Sequence, residues 1–416
     1  MHTSSVALWA VAAAAALCVA PACASIPCVC QEPARTECSD HEKTSVQPDD
    51  ICPGSTAWIF CDNRLTALPR SADERLEELD VARNRIADAS DELRALRGLR
   101  RLDVAHNSLQ HLRFLPEECA LTHLDASGNR VAALDGPLAG CARLEELLLS
   151  GNRLRTLSAD AFAAMGSLAH LSLAQNPLRA LQPGVFRALA SLRTLNLRAA
   201  DLEALPDGAF AGLGALRMLD LEDNHFRTVT RAAFQGLTAL SDLHLCNNHI
   251  AELPADAFRE VQNLSSLYMD NNELTRLPAG LLAGLPLAEL WVRSNRLEQL
   301  PALSDCCGPL RLAAFDGNRV AAPDEAALRG LLAALLREGE GAETASLNGN
   351  PVRVDALAWA ARAPDVALRA VADDCHCGTL ATGRAAITLC VEVECGRGAS
   401  WANWVEAVRA AAQNGV

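Results

Sequence analysis

The stretch LSDLHLCNNHI, residues 240–250, places His244, Cys246 and His249 within six positions. Imidazole and thiolate are both zinc ligands, and a thiol near a histidine can be activated as a nucleophile. The spacing therefore raises metal binding and thiol chemistry together. Cys375-His376-Cys377 offers half of a second zinc site. Its companion pair, Cys390 and Cys395, is separated by four residues, and disulfides are the expected fate of such cysteines in an exported chain. Other chemistries lack their motifs: there is no Gly-x-Ser-x-Gly elbow, phosphate loop, His-Glu-x-x-His or spaced nucleophile, base and orienting group. The sequence thus predicts no catalytic residues, no metal site and no cofactor.

Whether the histidines and the thiol can meet depends on the elements that carry them. Aligned by asparagine, the chain reads LEELDVARNRI (76–86), LRRLDVAHNSL (99–109), LTHLDASGNRV (121–131), LEELLLSGNRL (144–154), LAHLSLAQNPL (168–178) and LRTLNLRAADL (192–202). It continues as LRMLDLEDNHF (216–226), LSDLHLCNNHI (240–250), LSSLYMDNNEL (264–274), LAELWVRSNRL (287–297) and a degraded LRLAAFDGNRV (310–320). From Asn152 to Asn272 the period is 24 residues, with Ala200 where one asparagine would fall. The two leucines of each Leu-x-Leu have period 2, so both face one side of a short strand while the residues beside them face the other. One turn cannot bury its leucines alone; stacked turns bury them in a continuous core, with their strands in a parallel sheet. The asparagine falls where the chain leaves the strand, and its amide can bond the backbone groups that the bend leaves unpaired. Ala200 leaves a gap in this ladder, where weaker amide protection is expected.

These units resemble the leucine-rich repeat, L-x-x-L-x-L-x-x-N-x-L. Their second halves resemble its extracellular, typical class: Leu205-Pro206 with Phe210, Leu253-Pro254 with Phe258, and Phe162, Phe186 and Phe234 in the same slot, which Leu282 fills in the next unit. The resemblance covers residues 58–352. It implies an α/β fold, a right-handed solenoid bent into a horseshoe with a concave parallel β-sheet. Strands ~4.8 Å apart over roughly a dozen turns would make a face on the order of 55 to 60 Å along its arc.

The chain is read as a signal peptide (1–24), a cysteine-rich N-terminal cap (25–70), the repeats (71–353) and a cysteine-containing C-terminal cap (354–416). The signal comprises an apolar run from Val6 to Val19 and a small-x-small cleavage site ending at Ala24. A cut solenoid exposes its core, so each end needs a polar or cross-linked cap. The N-terminal segment with Cys28, Cys30, Cys38, Cys52 and Cys61 is similar to the cysteine-rich cap of extracellular family members. Five cysteines leave the pairing open. Cys119 and Cys141 fall at nearly equivalent places in adjacent turns, close enough to bridge. Cys306 and Cys307 are adjacent, so at least one can reach the cap or a second chain, giving a disulfide-linked oligomer. Cys375, Cys377, Cys390 and Cys395 can form two bridges. Near the C-terminus DEAALRGLLAALLREGEG and VDALAWAARA read as helices, and ITLCVEVEC alternates like a strand. The family's C-terminal Asn-Pro-Trp leading into Cys-x-Cys is represented only by Asn350-Pro351 and a distant Cys375-x-Cys377.

The formal charge of -14 argues against nucleic acid or an anionic membrane surface as the main partner and favours a cationic protein surface. Downstream apolar stretches such as Leu328 to Leu336 reach about half of the roughly 20 residues of a membrane helix. The tail SWANWVEAVRAAAQNGV is amphipathic rather than a hydrophobic lipid-anchor signal. These features predict a soluble, secreted protein with no membrane span. Asn263-Leu264-Ser265 is a glycosylation sequon at the entry to a strand, placing a glycan on Asn263.

Strand parity sends one central residue per turn outward: Asp80, Asp103, Asp125, Leu148, Ser172, Asn196, Asp220, His244, Tyr268 and Trp291. The first three form an acidic column. The last four bring together charge, imidazole and two large aromatics, with Glu222, Asp223, Asp242, Asp270 and Arg293 around them. Tyrosine and tryptophan are frequent binding hot spots because large rigid side chains are buried at small entropic cost. The expected ligand-binding set is Asp220, Glu222, Asp242, His244, Tyr268, Asp270, Trp291 and Arg293. The ligand is expected to be a protein or other macromolecule held on the concave face. By resemblance, the protein would be a soluble ligand trap, a co-receptor or a factor in immune or developmental recognition. A matrix or adhesion component and a non-catalytic enzyme inhibitor are the rival readings. Parity also separates the opening residues: His244 and Cys246 point outward, Leu243, Leu245 and Asn248 inward, and His249 belongs to the turn. They do not converge on one metal, which leaves Cys246, in the middle of the patch, as a free thiol, a bond to another chain or a polar filler, and it is read as the filler.

Overall fold

The structure, a computed structural model, describes residues 28–303 apart from short stretches between 32 and 136, then 310–335, 343–352 and parts of 357–390. The signal peptide (1–24), Cys306, Cys307, Cys375, Cys395 and the tail from residue 391 lie outside the described residues, as does most of VDALAWAARA. The chain forms two compact units, residues 1–147 and 148–416.

In the first unit β1 (Val29–Gln31) and β2 (Arg35–Glu37) form an antiparallel hairpin. From β2 onward the pairing is parallel, through β3 (Ala57–Ile59), β4 (Glu78–Asp80), β5 (Arg101–Asp103) and β6 (His123–Asp125). Register aligns Thr36, Trp58, Leu79, Leu102 and Leu124, all buried. The parallel ladder therefore begins inside the cysteine-rich segment. Disulfides join Cys28 to Cys38 and Cys30 to Cys52 across the hairpin region, and Cys119 to Cys141 across adjacent turns. Cys61 belongs to none of these three bridges; it is buried, with its sulfur 3.7 Å from the Ser39 hydroxyl. β7 (Glu146–Leu148) lies at the division between the units.

The second unit carries β8 (His170–Ser172), β9 (Thr194–Asn196), β10 (Met218–Asp220), β11 (Asp242–His244), β12 (Ser266–Tyr268), β13 (Glu289–Trp291) and β14 (Leu312–Ala314). Helix α1 (Glu325–Leu335) precedes β15 (Glu343–Ser346). The strands pair in parallel from β8 to β15 in unbroken register, so that Leu195, Leu219, Leu243, Leu267 and Leu290 stack one behind another, fully buried. The phenylalanine slot makes a second buried column: Phe162 to Phe186 at 5.9 Å, Phe186 to Phe210 at 6.4 Å, and Phe234 to Phe258 at 6.0 Å.

The asparagine bend explains why strands are short. Asn248 donates to the carbonyls of Leu221, Leu245 and Cys246 and accepts the Phe226 N–H, so one buried amide closes its own turn and the preceding one. Asn272 repeats the pattern on Leu245, Met269, Asp270 and Ile250. The residue before the asparagine is left-handed in turn after turn, for example Asp223 (φ 57), Asn247 (φ 54), Asn271 (φ 54) and Gly317 (φ 65). This conformation costs a non-glycine residue about 1 to 2 kcal/mol, which the amide's four bonds offset.

The expected α/β class is realised with little helix. Among the described residues α1 is the one α-helix, and return segments are turns or short 3-10 pieces such as Arg231–Phe234. A helix advances only ~1.5 Å per residue against ~3.3 Å for extended chain, and the 24-residue units return through turns without one. At the C-terminal end the strand order changes and antiparallel pairs follow. β15 pairs in parallel with β18 (Ala385–Cys390), which pairs antiparallel with β17 (Cys377–Thr382), which pairs antiparallel with β16 (Ala367–Ala370). The backbones of Cys377 and Cys390 face each other in that register.

Candidate functional site

Strands β9 to β14 present outward columns fixed by their register. The central column runs Asn196, Asp220, His244, Tyr268, Trp291 and Ala314; the lateral one runs Thr194, Met218, Asp242, Ser266, Glu289 and Leu312. His244 stacks on Tyr268 with centroids 4.4 Å apart and planes at 21°, and Tyr268 stacks on Trp291 at 6.0 Å and 24°. The polar ends of both large rings go to one acceptor. Tyr268 Oη donates to Glu289 Oε2 at 3.0 Å, and Trp291 Nε1 donates to the same oxygen at 3.1 Å. Arg293 joins the stack, its guanidinium 4.3 Å from the Trp291 ring centroid, a cation–π contact. That guanidinium is held by Asp270 Oδ2 at 2.8 Å, while Asp270 Oδ1 accepts the Arg293 N–H at 2.7 Å.

Burial shapes the protonation of this patch. It lowers the His244 pKa, against the pull of Asp242 and Glu222, so the imidazole in the stack is neutral at pH 7. It raises Tyr268, helped by the Glu289 charge, so the phenol stays protonated and donates. Burial, then the Asp270 charge, pushes the Cys246 thiol up, away from the reactive thiolate. Burial also raises Glu222, although Arg198 opposes it.

The eight residues expected to bind ligand fall into two groups. His244, Tyr268, Trp291 and Arg293 form a continuous half-exposed surface with Asp242 beside it. Asp220, Glu222 and Asp270 are engaged within the protein. Asp220 is 3% exposed and accepts the Glu222 N–H at 2.9 Å. Glu222 is paired with Arg198 at 3.1 Å and accepts the Asn247 amide at 2.9 Å. Glu289 and Ser266 are not in the set expected from sequence, which follows the central column and its charged neighbours; the same alignment, moved two residues towards the N-terminus, finds both. Nothing in spacing signalled that Glu289 would hold two rings, since that depends on how Tyr268 and Trp291 lean.

The opening trio is dispersed. His249 lies in the turn, exposed, stacked on His225 at 6.0 Å and 3.4 Å from Glu273 Oε1. His244 and Cys246 face outward in different columns, and Cys246 is not disulfide-bonded. In the first unit the acidic column does structural work: Asp80, Asp103 and Asp125 each accept the N–H two residues on, at 2.9, 2.9 and 2.8 Å. Asn263 is exposed, and its Nδ2 donates to the Thr238 carbonyl at 2.6 Å.

A profile of the leucine-rich repeat family matches residues 142–202, 191–250 and 238–297. These turns are leucine-rich repeats. Among curated proteins, mouse podocan is 46% identical over 86 residues, 20% of this chain; the match spans 14% of podocan's length. Among solved structures, a leucine-rich repeat protein of Leptospira interrogans superposes with TM-score 0.62 at 22% identity, covering 76% of this chain and 79% of that one. The Toll–Spatzle complex of Drosophila superposes with TM-score 0.64 at 21% identity, covering 75% of this chain and 42% of that one. At these identities the structural likeness establishes the repeat fold. Among the described residues no helix is long and apolar enough to cross a membrane.

Proposed function

We propose that the protein is a secreted recognition factor, a soluble ligand trap or co-receptor that holds a protein ligand on the outward strand face around Tyr268 and Trp291. The observation that carries this reading is the ring stack whose two polar ends share Glu289. Side chains already fixed in one rotamer lose little entropy when a partner covers them, which is the main cost of ordering an interface. The Drosophila Toll–Spatzle structure is that of a complex, and this chain shares the repeat fold seen there. Secretion rests on the signal peptide at 1–24 and the three disulfides. Asn263 lies on a strand-entry turn, where a glycan would keep that flank free of ligand.

The test is proximity labelling in extracellular fluid, comparing the native protein with the Tyr268→Ala, Trp291→Ala double variant at equal concentration. Partners labelled by the native protein should be lost from the variant, whose melting temperature should change little. An unchanged set of partners would overturn the reading.

A further inference from the structure

The lateral column beside the ring stack carries two carboxylates that meet no cation. Asp242 of β11 and Glu289 of β13 flank Ser266 of β12, so about 10 Å separates their strands. Among the described residues neither has an arginine or lysine within ion-pair distance. Their neighbours differ: Glu222, Asp223, Asp270 and Glu273 each hold an arginine. Asp242 Oδ2 accepts the Ser241 hydroxyl, and Glu289 Oε2 accepts both ring donors, which leaves an oxygen of each carboxylate open. Both residues are half-buried, where a charge is less screened than on an open surface. Apolar groups complete the row: Met218 beyond Asp242, Leu312 beyond Glu289, and the Tyr268 ring alongside.

This combination matches a long cationic side chain, an aliphatic stem with a charged head. The stem can lie along Met218 and the Tyr268 ring while the head sits between the two carboxylates, at the edge of the Tyr268 hydroxyl that Glu289 and Ser266 already engage. The chain's excess of 51 acidic over 37 basic residues adds long-range attraction for such a partner. We propose that the row Asp242, Ser266, Glu289 seats a lysine or arginine from a basic segment of the protein ligand, a reading that rests on the outward face being the binding face.

A labelled nonaarginine peptide, followed by fluorescence anisotropy against the full chain, tests the chemistry. Binding should weaken about tenfold in Asp242→Asn, Glu289→Gln, which keeps the acceptors for Ser241, Tyr268 and Trp291. The charge-matched control Asp256→Asn, Glu260→Gln, at carboxylates that face Arg231 instead, should change it less than about twofold. Equal weakening in both variants, or no binding by the native protein, would overturn the proposal in favour of diffuse charge or none. Applied to the labelled extracellular partners, the same variants separate the two readings. Partners lost from Tyr268→Ala, Trp291→Ala but retained by Asp242→Asn, Glu289→Gln would sink the basic-segment proposal and leave the face standing; partners retained by both would sink both.

Discussion

Asp103 accepts the Ala105 N–H while standing between Asp80 and Asp125 on neighbouring strands. Burial, then the charges of Asp125 and Asp80, raises its pKa to about 7. A carboxyl with a folded pKa above its unfolded value binds its proton more tightly in the native state. Stability from this group is therefore present at low pH and lost as pH rises between the unfolded value near 3.8 and about 7. Asp103→Asn keeps the acceptor and removes the charge, as Asn196 does for Arg198 at the equivalent position. Thermal melts should show the variant more stable by roughly 1 to 3 kcal/mol at pH 8 and nearly equal at pH 4; equal melts at pH 8 would count against the raised pKa. Cys246 illustrates the opposite case of a chemically capable residue kept inert. With its thiolate disfavoured by burial and by Asp270, native Cys246 should react with iodoacetamide at pH 8 at least about tenfold more slowly than a thiol of ordinary pKa. Mass spectrometry of the Cys246 peptide, with and without denaturant, checks this, and equal labelling in both would refute it.

The element that matters most is the single turn with its asparagine. In a regular turn the N–H two residues beyond the asparagine reaches the next turn's amide, as Leu154 does with Asn176 and Ile250 with Asn272. Ala200 removes that acceptor for Leu178, and the backbone responds. The Leu178 N–H falls back on the Asn176 carbonyl, Arg179 and Asp201 become left-handed (φ 63 and 56), and Asn224 Oδ1 takes the N–H groups of both Ala200 and Leu202. That contact closes across Pro177 as an inverse γ-turn, a bent hydrogen bond weaker than the straighter one a neighbouring turn's amide accepts. Hydrogen exchange at Leu178 should therefore be faster than at Leu154 and Ile250, and equal protection would contradict this account. The gap was legible in the sequence as one missing asparagine. Its repair was not, because the response is shared among three turns and appears only when their backbones are placed together.

Across the molecule, the residues that carry stability and those proposed to carry recognition lie in different layers. The leucine, phenylalanine and asparagine columns are buried, whereas Tyr268 and Trp291 lie half-exposed outside them. Removing those two rings deletes stacking and two hydrogen bonds to Glu289 but opens no cavity in the core, so the double variant should melt within a few degrees of the native protein while losing its ligand. A large drop in melting temperature would instead mean that the stack is structural. The formal charge of -14 works at this scale too: added salt should slow association with a basic partner through screening.

The repeat period, strand parity, the inward leucines and the outward aromatics all followed from the sequence, because each depends on residues a few positions apart and on a register that copies itself from turn to turn. The dispersal of His244, Cys246 and His249 was legible for the same reason. Tertiary structure decided what depends on distant chain segments meeting. It drew β2 of the cysteine-rich segment into the parallel ladder and set β18 beside β15. It spent Asp220, Glu222 and Asp270 on internal bonds and made Glu289 the shared acceptor of two rings. Periodicity assigns a side chain to a face; only packing against neighbouring turns determines whether it is consumed there or left available to a partner.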